Sequence, residues 1–235
     1  MDKQIADYAR ALMAPQEAMF IGPAAKTASK GALAKAKDMA KQGAHRDDIW
    51  KNTGWYRGNA NRWWSEISDD KARFTNPISK VPQRLGDVYD HPELYKAYPS
   101  VSDVPIYADP SLNPKFGGSY TSKAIGPERV RLNPNVAHLW DEIIPHEVQH
   151  IVQQRENMGL FPNLEIEAYR TGLRAQMTPE QRKGFPPWAT LEYADDPRMR
   201  NFLKNNSGYF AGAGAAGAAT GSAGAMHYLS RQNEP

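Results

Sequence analysis

The chain has 235 residues, which is long enough for one globular domain with a sizeable core and further segments. Its net charge of +3 is too small to indicate nucleic-acid binding without a concentrated basic patch, so we expect weak binding or none. The absence of cysteine excludes disulfides and thiolate metal sites, so a metal site would need His, Asp and Glu ligands.

Residues 1–45 are predicted to form an Ala- and Lys-rich helical arm. The polar start, MDKQIADYAR, lacks the apolar run of a secretory signal, so none is expected. The segment AAKTASKGALAKAKDMAKQGA has high helix propensity, and its main large apolar residues are Leu33 and Met39. Its lysines could contact phosphates, but we prefer to interpret them as a solvated helical face.

The segment DDIWKNTGWYRGNANRWWSEISDD predicts a β-hairpin. RGNAN has the composition of a turn, and strands are expected near 54–57 and 62–67. We interpret the aromatic residues of these strands as cross-strand packing, with a platform for stacking nucleic-acid bases as the alternative.

Short strands and then helices are predicted for the next part of the chain. The strand candidates are DVPIYAD, FGGSYTSKA and ERVRLNP. Gly117 and Gly118 lie in the second of these, where glycine lets another backbone approach closely. Helices are expected at 137–156 and 163–176, followed by a rigid GFPPW loop and short helical pieces at 188–204.

The tail, residues 205–235, has a different composition. It carries no charged residue from Asn205 to Ser230, and its centre, FAGAGAAGAATGSAGAM, contains Gly217 and Gly221 at a spacing that lets helices touch. We predict a closely packing helix from Tyr209 to Leu229, and we keep entry into a membrane and a flexible tail as alternatives.

The motif HEVQH places His146 and His150 one helical turn apart on the same face of the 137–156 helix. Two imidazoles at this spacing can bind one Zn²⁺, and Glu147 between them is placed to act as the general base of a peptidase. Trp140, Ile144, Val148 and Ile151 form a separate apolar stripe that can pack on a sheet. Two alternatives remain, namely exposed histidines without a function and core histidines with satisfied hydrogen bonds.

Pro145 precedes the motif, and proline deep in a helix would break it. Asp141 as the N-cap would place Pro145 in or just past the first turn, where a missing amide donor costs little. We therefore predict that Asp141 caps this helix.

A catalytic zinc usually has three protein ligands, and FPNLEIEAYRTGLRAQ offers Glu165 and Glu167 for the third. Glu165 shares a helix face with the small residues Ala168, Gly172 and Ala175, which would let this helix approach another closely. Glu167 shares its face with Arg170, Thr171 and Arg174, which indicates a solvated surface. We therefore predict that Glu165, and not Glu167, is the ligand.

The strand around GGSYTS could be an edge strand that pairs with an extended peptide substrate. A peptidase would also need a group to stabilise the oxyanion. Tyr120, His138 and Tyr169 are the candidates.

HEVQH followed by LEIEAYR resembles the Glu-zincin metallopeptidases, in which a Glu in an E-x-x-A context is the third ligand. The resemblance assigns His146, His150 and Glu165 as ligands and Glu147 as the base, whereas Tyr169 stands where many such families have Asp or Asn.

A longer stretch, roughly residues 20–176, is similar to a large polyvalent protein associated domain of bacteriophages and prophages. The similarity runs from FIGPAAKTASKGALAKAKDMAKQGAHRDDIW through DHPELYKAYPSVSDVPI and GGSY to HEVQHIVQQRE and EIEAYR. It implies a phage origin and a zincin-like fold. Family members usually have Leu where Pro145 stands.

Together these features predict an α+β fold: a helical arm at 1–45, a zincin-like domain at 46–204 with a small mixed or antiparallel sheet packed on the HExxH helix, and the tail. The expected function is a zinc-dependent, phage-encoded peptidase that acts on a protein or a peptidoglycan peptide, in the virion or the infected host, beside other virion proteins. The alternative is a non-catalytic virion component, structural or involved in DNA ejection, on the same scaffold.

Overall fold

The computed structural model describes residues 19–158, apart from 59, 60, 70, 114 and 115, together with Ala168, Thr171 and Gly172. The predicted GFPPW loop, the helical pieces at 188–204 and the tail at 205–235 lie outside the described residues. No helix in the described part of the chain is long and apolar enough to cross a membrane.

A three-stranded antiparallel sheet opens the described fold. Its strands are β1 (Met19–Ile21), β2 (Trp55–Arg57) and β3 (Trp63–Ile67), in the order β1-β3-β2. Strands β2 and β3 form the predicted hairpin, and Tyr56 lies opposite Trp64 with both rings buried. The predicted hairpin and its cross-strand aromatic packing are therefore confirmed.

Two helices pack beside this hairpin: α1 (Lys30–Lys41) and α2 (Arg46–Thr53). Helix α1 begins at Ser29, whose hydroxyl accepts from the amide of Ala32 at 3.3 Å. The predicted helix in the Lys-rich segment is confirmed, but the predicted arm at 1–45 is not helical throughout, because Met19–Ile21 form β1. Leu33 and Ala36 are buried in a small core that also contains Trp55 and Trp63. The domain boundary predicted between residues 45 and 46 falls in the turn between α1 and α2, and both helices contact β2.

The larger sheet has four strands in the order β5-β7-β9-β8. They are β5 (Gln83–Arg84), β7 (Pro105–Ala108), β8 (Gly118–Thr121) and β9 (Arg129–Leu132). Strands β7 and β9 are parallel and the other pairs are antiparallel, so the sheet is mixed. The three strand candidates of the sequence are thus confirmed, and the fold is a mixture of helices and small sheets, as predicted.

Short elements connect the two sheets. Strands β4 (Arg73–Phe74) and β6 (Tyr89–Asp90) form an antiparallel pair. Helices α3 (Leu85–Val88) and α4 (Pro92–Ala97) are followed by a 3-10 turn at Pro99–Val101. Between β6 and α4, the buried His91 accepts from the amide of Leu94 and contacts Asp69, with 2.6 Å between Nε2 and Oδ1. This pair joins α4 to the chain that follows β3.

Helix α5 (Trp140–Arg155) carries the histidine motif and follows a 3-10 turn at Pro134–Leu139. Its N-cap is Leu139, so the prediction that Asp141 caps the helix is wrong. The chain is already helical when it enters α5, because Asn133 caps the 3-10 turn and the amide of Trp140 donates to the carbonyl of Ala137. Pro145 is therefore the sixth residue of α5 and lies inside it.

Helix α5 is the centre of the described core. All twelve residues from Glu142 to Gln153 are buried, because β8 covers one side of the helix and β1 covers another. Ile144, Val148 and Ile151 are fully buried, as the apolar stripe predicted. The motif therefore lies on a helix that is packed on several sides.

Candidate metal site

The two histidines of the motif face each other on α5. Nε2 of His146 and Nε2 of His150 are 3.2 Å apart, and the ring planes are at 82°. Both side chains are buried, with 1% and 4% of their surface exposed. The spacing of four residues thus gives the predicted convergence of two imidazoles.

The hydrogen bond to Gln153 determines which ring nitrogen of His150 carries the hydrogen. The amide oxygen of Gln153 lies 2.8 Å from Nδ1 of His150. Because this oxygen can only accept, Nδ1 carries the proton and Nε2 keeps its lone pair. Nε2 of His150 can therefore accept a hydrogen bond from Nε2 of His146, and it is the nitrogen that a metal would use.

The distance between the two Nε2 atoms fits a single zinc ion. If each nitrogen lies ~2.0–2.1 Å from the metal, atoms 3.2 Å apart subtend an angle of about 100° at the ion. This angle is close to the tetrahedral value that zinc prefers. The donor chemistry also fits, because neutral imidazole is a usual zinc ligand.

Glu147 is fully buried where α5 meets β8. A Cβ atom on Gly118 would lie 2.8 Å from Oε1 of Glu147 and 2.6 Å from Cγ2 of Ile143, so only glycine fits there without movement. The same holds at Gly117, where a Cβ would lie 2.7 Å from Cδ1 of Ile143. The two glycines allow a close approach, as predicted, but the groups that approach are side chains and not another backbone, and the carboxyl group of Glu147 lies against β8.

Strand β8 lies at one edge of the four-stranded sheet. It pairs with β9, and no second strand pairs with it among the residues that the structure describes. The predicted edge strand is therefore present beside the histidine helix.

The candidates for the third ligand are Glu165 and Glu167. Both lie outside the described part of the chain, and no group of three or more His, Asp and Glu side chains that could hold a metal ion is found within it. The choice between the two glutamates stays a prediction.

Ala168, Thr171 and Gly172 belong to a helical segment that packs on α5. A Cβ on Gly172 would lie 2.9 Å from the carbonyl oxygen of Glu142 and 3.5 Å from Cβ of His146. The close approach predicted for the small residues is thus confirmed at Gly172, directly beside a histidine of the motif.

The prediction that Thr171 lies on a solvated face is wrong. Thr171 is fully buried, and its hydroxyl donates to Oε1 of Gln149 at 3.2 Å. It follows Ala168 by three residues, so it borders the same helix face and not the opposite one. The contact face of this segment is therefore wider than the small residues alone indicate.

The candidates for oxyanion stabilisation differ in their surroundings. Tyr120 is buried, its hydroxyl donates to Glu128 at 2.7 Å, and burial followed by this hydrogen bond raises its pKa. The hydroxyl proton of Tyr120 is therefore already in a hydrogen bond to Glu128 and is not available to stabilise an oxyanion. His138 is exposed in the 3-10 turn, and Tyr169 lies outside the described residues.

One family model matches the N-terminal part of the chain. Residues 18–75 match the large polyvalent protein associated domain 23. The matched segment supports the predicted association with phages and prophages, and it ends before the histidine motif, whereas the predicted resemblance extended to residue 176. No curated protein and no solved structure gives a significant match to the chain.

The segment matched to the polyvalent domain is joined to α5 through Gln149, which sequence reasoning missed. The amide of Phe20 donates to Oε1 of Gln149 at 3.1 Å, and Nε2 of Gln149 donates to the carbonyl of Phe20 at 3.2 Å. The amide and carbonyl of one strand residue face the same side, so Gln149 occupies the edge of β1 opposite β3. No local signal could reveal this, because the partners are 129 residues apart.

A second joint between the matched segment and α5 lies at the end of the helix. The carboxylate of Glu156 accepts from the amide of Ala24, with 3.0 Å to each oxygen, and from the hydroxyl of Tyr98. A Cβ on Gly22 would overlap this carboxylate, so the glycine of the FIGP sequence allows the contact. The matched segment and the histidine helix thus share one core.

Proposed function

We propose that this protein is a zinc-dependent peptidase of phage or prophage origin, associated with the virion. The observation that carries the proposal is the pair of Nε2 atoms of His146 and His150, 3.2 Å apart, on the helix that also bears the buried Glu147. The match of residues 18–75 supports the phage origin.

Three residues would hold the metal: His146, His150 and Glu165. Glu165 precedes Ala168 by one helical turn in the sequence, and Gly172 packs against α5 beside His146. Glu165 is seven residues before this contact, a spacing that returns to the same face of a helix, so it is the simplest source of a third ligand. Gln153 would hold His150 in the tautomer that presents Nε2.

A zinc ion at this place would lower the pKa of a bound water molecule and polarise the scissile carbonyl. Glu147 would accept the proton of that water and transfer it to the leaving amine. The substrate would lie along β8, whose outer edge can pair with an extended peptide backbone. Gly118 brings this strand to the carboxyl group of Glu147, so a chain bound there would pass beside the base.

Metal content and a base variant test this function together. We expect about one zinc per chain after dialysis against a weak chelator. Glu147→Gln should keep the zinc and lower proteolysis by ~10²–10⁴-fold, measured on an unfolded protein and on peptidoglycan. Asp141→Asn is the control, since Asp141 is exposed on the same helix. A wild-type chain without zinc would exclude the site, and equal proteolysis by wild type and Glu147→Gln would exclude Glu147 as the base.

A matched pair of variants tests the third ligand. Glu165→Gln should lose most of the zinc, whereas Glu167→Gln should retain it. Zinc retention in the first variant and loss in the second would assign the ligand to Glu167 and leave the rest of the proposal intact.

A further inference from the structure

The positive charge of the chain is concentrated in one segment. Residues 26–62 contain nine Lys and Arg but only three Asp and no Glu, whereas the whole chain has a net charge of +3. The remainder is therefore net negative. Such asymmetry indicates a surface built for a polyanion more strongly than the net charge of the chain does.

Some of these positively charged side chains line one groove between α1 and the β2–β3 hairpin. The groove has a volume of about 320 Å³ and is lined by Lys37, Ala40, Lys41, Arg57 and Trp63. The guanidinium carbon of Arg57 lies 5.3 Å from the ring centroid of Trp63, a cation–π contact that holds the charge at the groove. Cations from a helix and from a hairpin thus meet at one place.

The lysines continue the basic surface along α1. Lys30, Lys37 and Lys41 are spaced by seven and four residues, so they lie within about 40° of one another on the helix and span ~16 Å of its length. Oδ1 of Asp38 lies 3.6 Å from Nζ of Lys41 and offsets one of these charges, so the lysine row keeps a net charge of +2. Within the described residues no carboxylate forms a salt bridge with Lys37 or Arg57.

We propose that this groove and lysine row bind the phosphate backbone of duplex DNA without sequence preference. A row of cations on a straight helix complements the regular row of phosphates, spaced by about 3.4 Å per strand along the duplex axis. Binding of a single strand would need exposed aromatic rings for base stacking. Trp63 is only 8% exposed and has Arg57 over its ring, and Trp55 and Trp64 are buried.

This proposal revises the expectation of weak or no nucleic-acid binding. The sequence presents the lysines of α1 as a helical arm by themselves, and Arg57 is 16 residues beyond Lys41. Only the packing of the hairpin on α1 brings the two together. The two proposals are independent, because the groove belongs to α1 and the β2–β3 hairpin and the candidate metal site to α5.

Fluorescence anisotropy of a labelled duplex of arbitrary sequence, titrated with the full chain from about 50 to about 200 mM salt, tests this binding. Lys37→Glu/Arg57→Glu should weaken binding by about tenfold or more at the lower salt and reduce the slope of log K against log salt by about 2. Lys35→Glu/Lys51→Glu is the matched control, with the same change in net charge at exposed positions outside the groove. Lys37→Gln/Arg57→Gln, with helix content checked by circular dichroism, guards against misfolding.

Three results would overturn the proposal. One is the absence of duplex binding at the lower salt, and another is equal weakening by the groove and control variants. The third is binding of single-stranded DNA or polyglutamate as tight as that of the duplex. Glu147→Gln should bind the duplex as the wild type does, which separates this result from any failure of the peptidase proposal.

Discussion

Gly118 of β8 lies directly against the carboxyl group of Glu147 on α5, where an added Cβ would come within 2.8 Å of Oε1 and 3.0 Å of Cγ. The base candidate and the edge strand are therefore in contact through a position that has no room for a side chain. This contact relates the geometry of the candidate site to the stability of the core.

Gly118→Ala should destabilise the protein by about 1–3 kcal/mol, because a methyl group at this position overlaps Glu147 and Ile143. The free energy of unfolding in urea measures the effect. Gly126→Ala is the matched control, since a Cβ there would meet its nearest neighbour, Cγ2 of Thr121, at 3.8 Å. Equal stability of the two variants would show that β8 and α5 are not in close contact.

Gln149→Ala should lower the free energy of unfolding by about 2 kcal/mol or more. It leaves the buried amide and carbonyl of Phe20 and the hydroxyl of Thr171 without this partner. Hydrogen exchange of the Phe20 amide should accelerate in parallel. Gln154→Ala provides the comparison, as Gln154 is half-buried on the same helix. Unchanged exchange at Phe20 would contradict the proposed joint.

Gln153→Ala should reduce zinc affinity by about 10–100-fold, because His150 loses the acceptor that fixes its Nδ1–H tautomer. Competition with a chromophoric chelator gives the affinity, and Gln153→Glu should restore it, since a carboxylate also accepts from Nδ1. If Gln153→Ala binds zinc like the wild type, the hydrogen bond has no role in orienting the ligand.

Glu128 should make the stability of the protein depend on pH. Burial opposes its ionisation, but hydrogen bonds from Arg155 and Tyr120 outweigh burial and lower its pKa. A carboxyl group whose pKa is lowered by folding stabilises the folded state above its unfolded pKa, and this contribution is lost as pH falls through the folded value. We therefore expect part of the stability to disappear as pH falls from about 5 towards 3.

Glu128→Gln should flatten that part of the pH profile and cost about 1–3 kcal/mol at neutral pH, measured by urea unfolding across the pH range. Asp103→Asn is the control, because Asp103 pairs with Arg84 on the exposed surface and such pairs contribute little. An identical pH profile in wild type and Glu128→Gln would assign the acid sensitivity to other groups.

The features that the sequence predicts correctly are local ones. The hairpin follows from turn residues between aromatic strands, α1 from Ala and Lys propensity, and the facing imidazoles from a spacing of four residues. Gly117 and Gly118, just before and at the start of β8, also carried a signal of close approach, although side chains and not a backbone approach them. Each of these depends on residues that are near one another in the chain.

The features that the sequence could not predict depend on distant partners or on very short elements. Strands β7 and β9 pair in parallel although β8 lies between them in the chain. Gln149 and Phe20 are in contact although 129 residues separate them in the sequence. The chain enters α5 through a 3-10 turn that is capped by Asn133, and not through a cap at Asp141. Strands of two residues, such as β5, are too short to show a period.

The joint between Gln149 and Phe20 bears on how this chain could exchange parts with other proteins. A fragment ending at residue 75 would leave the outer edge of β1 unpaired and would expose Phe20, Tyr56 and Trp64 to solvent. Recombination that moved only residues 18–75 would therefore transfer a segment whose apolar core residues stay partly exposed. A transplanted copy needs the histidine helix, or another helix with an amide at the same place, so the shortest stretch that can be inherited as a working module extends well beyond the stretch that can be recognised.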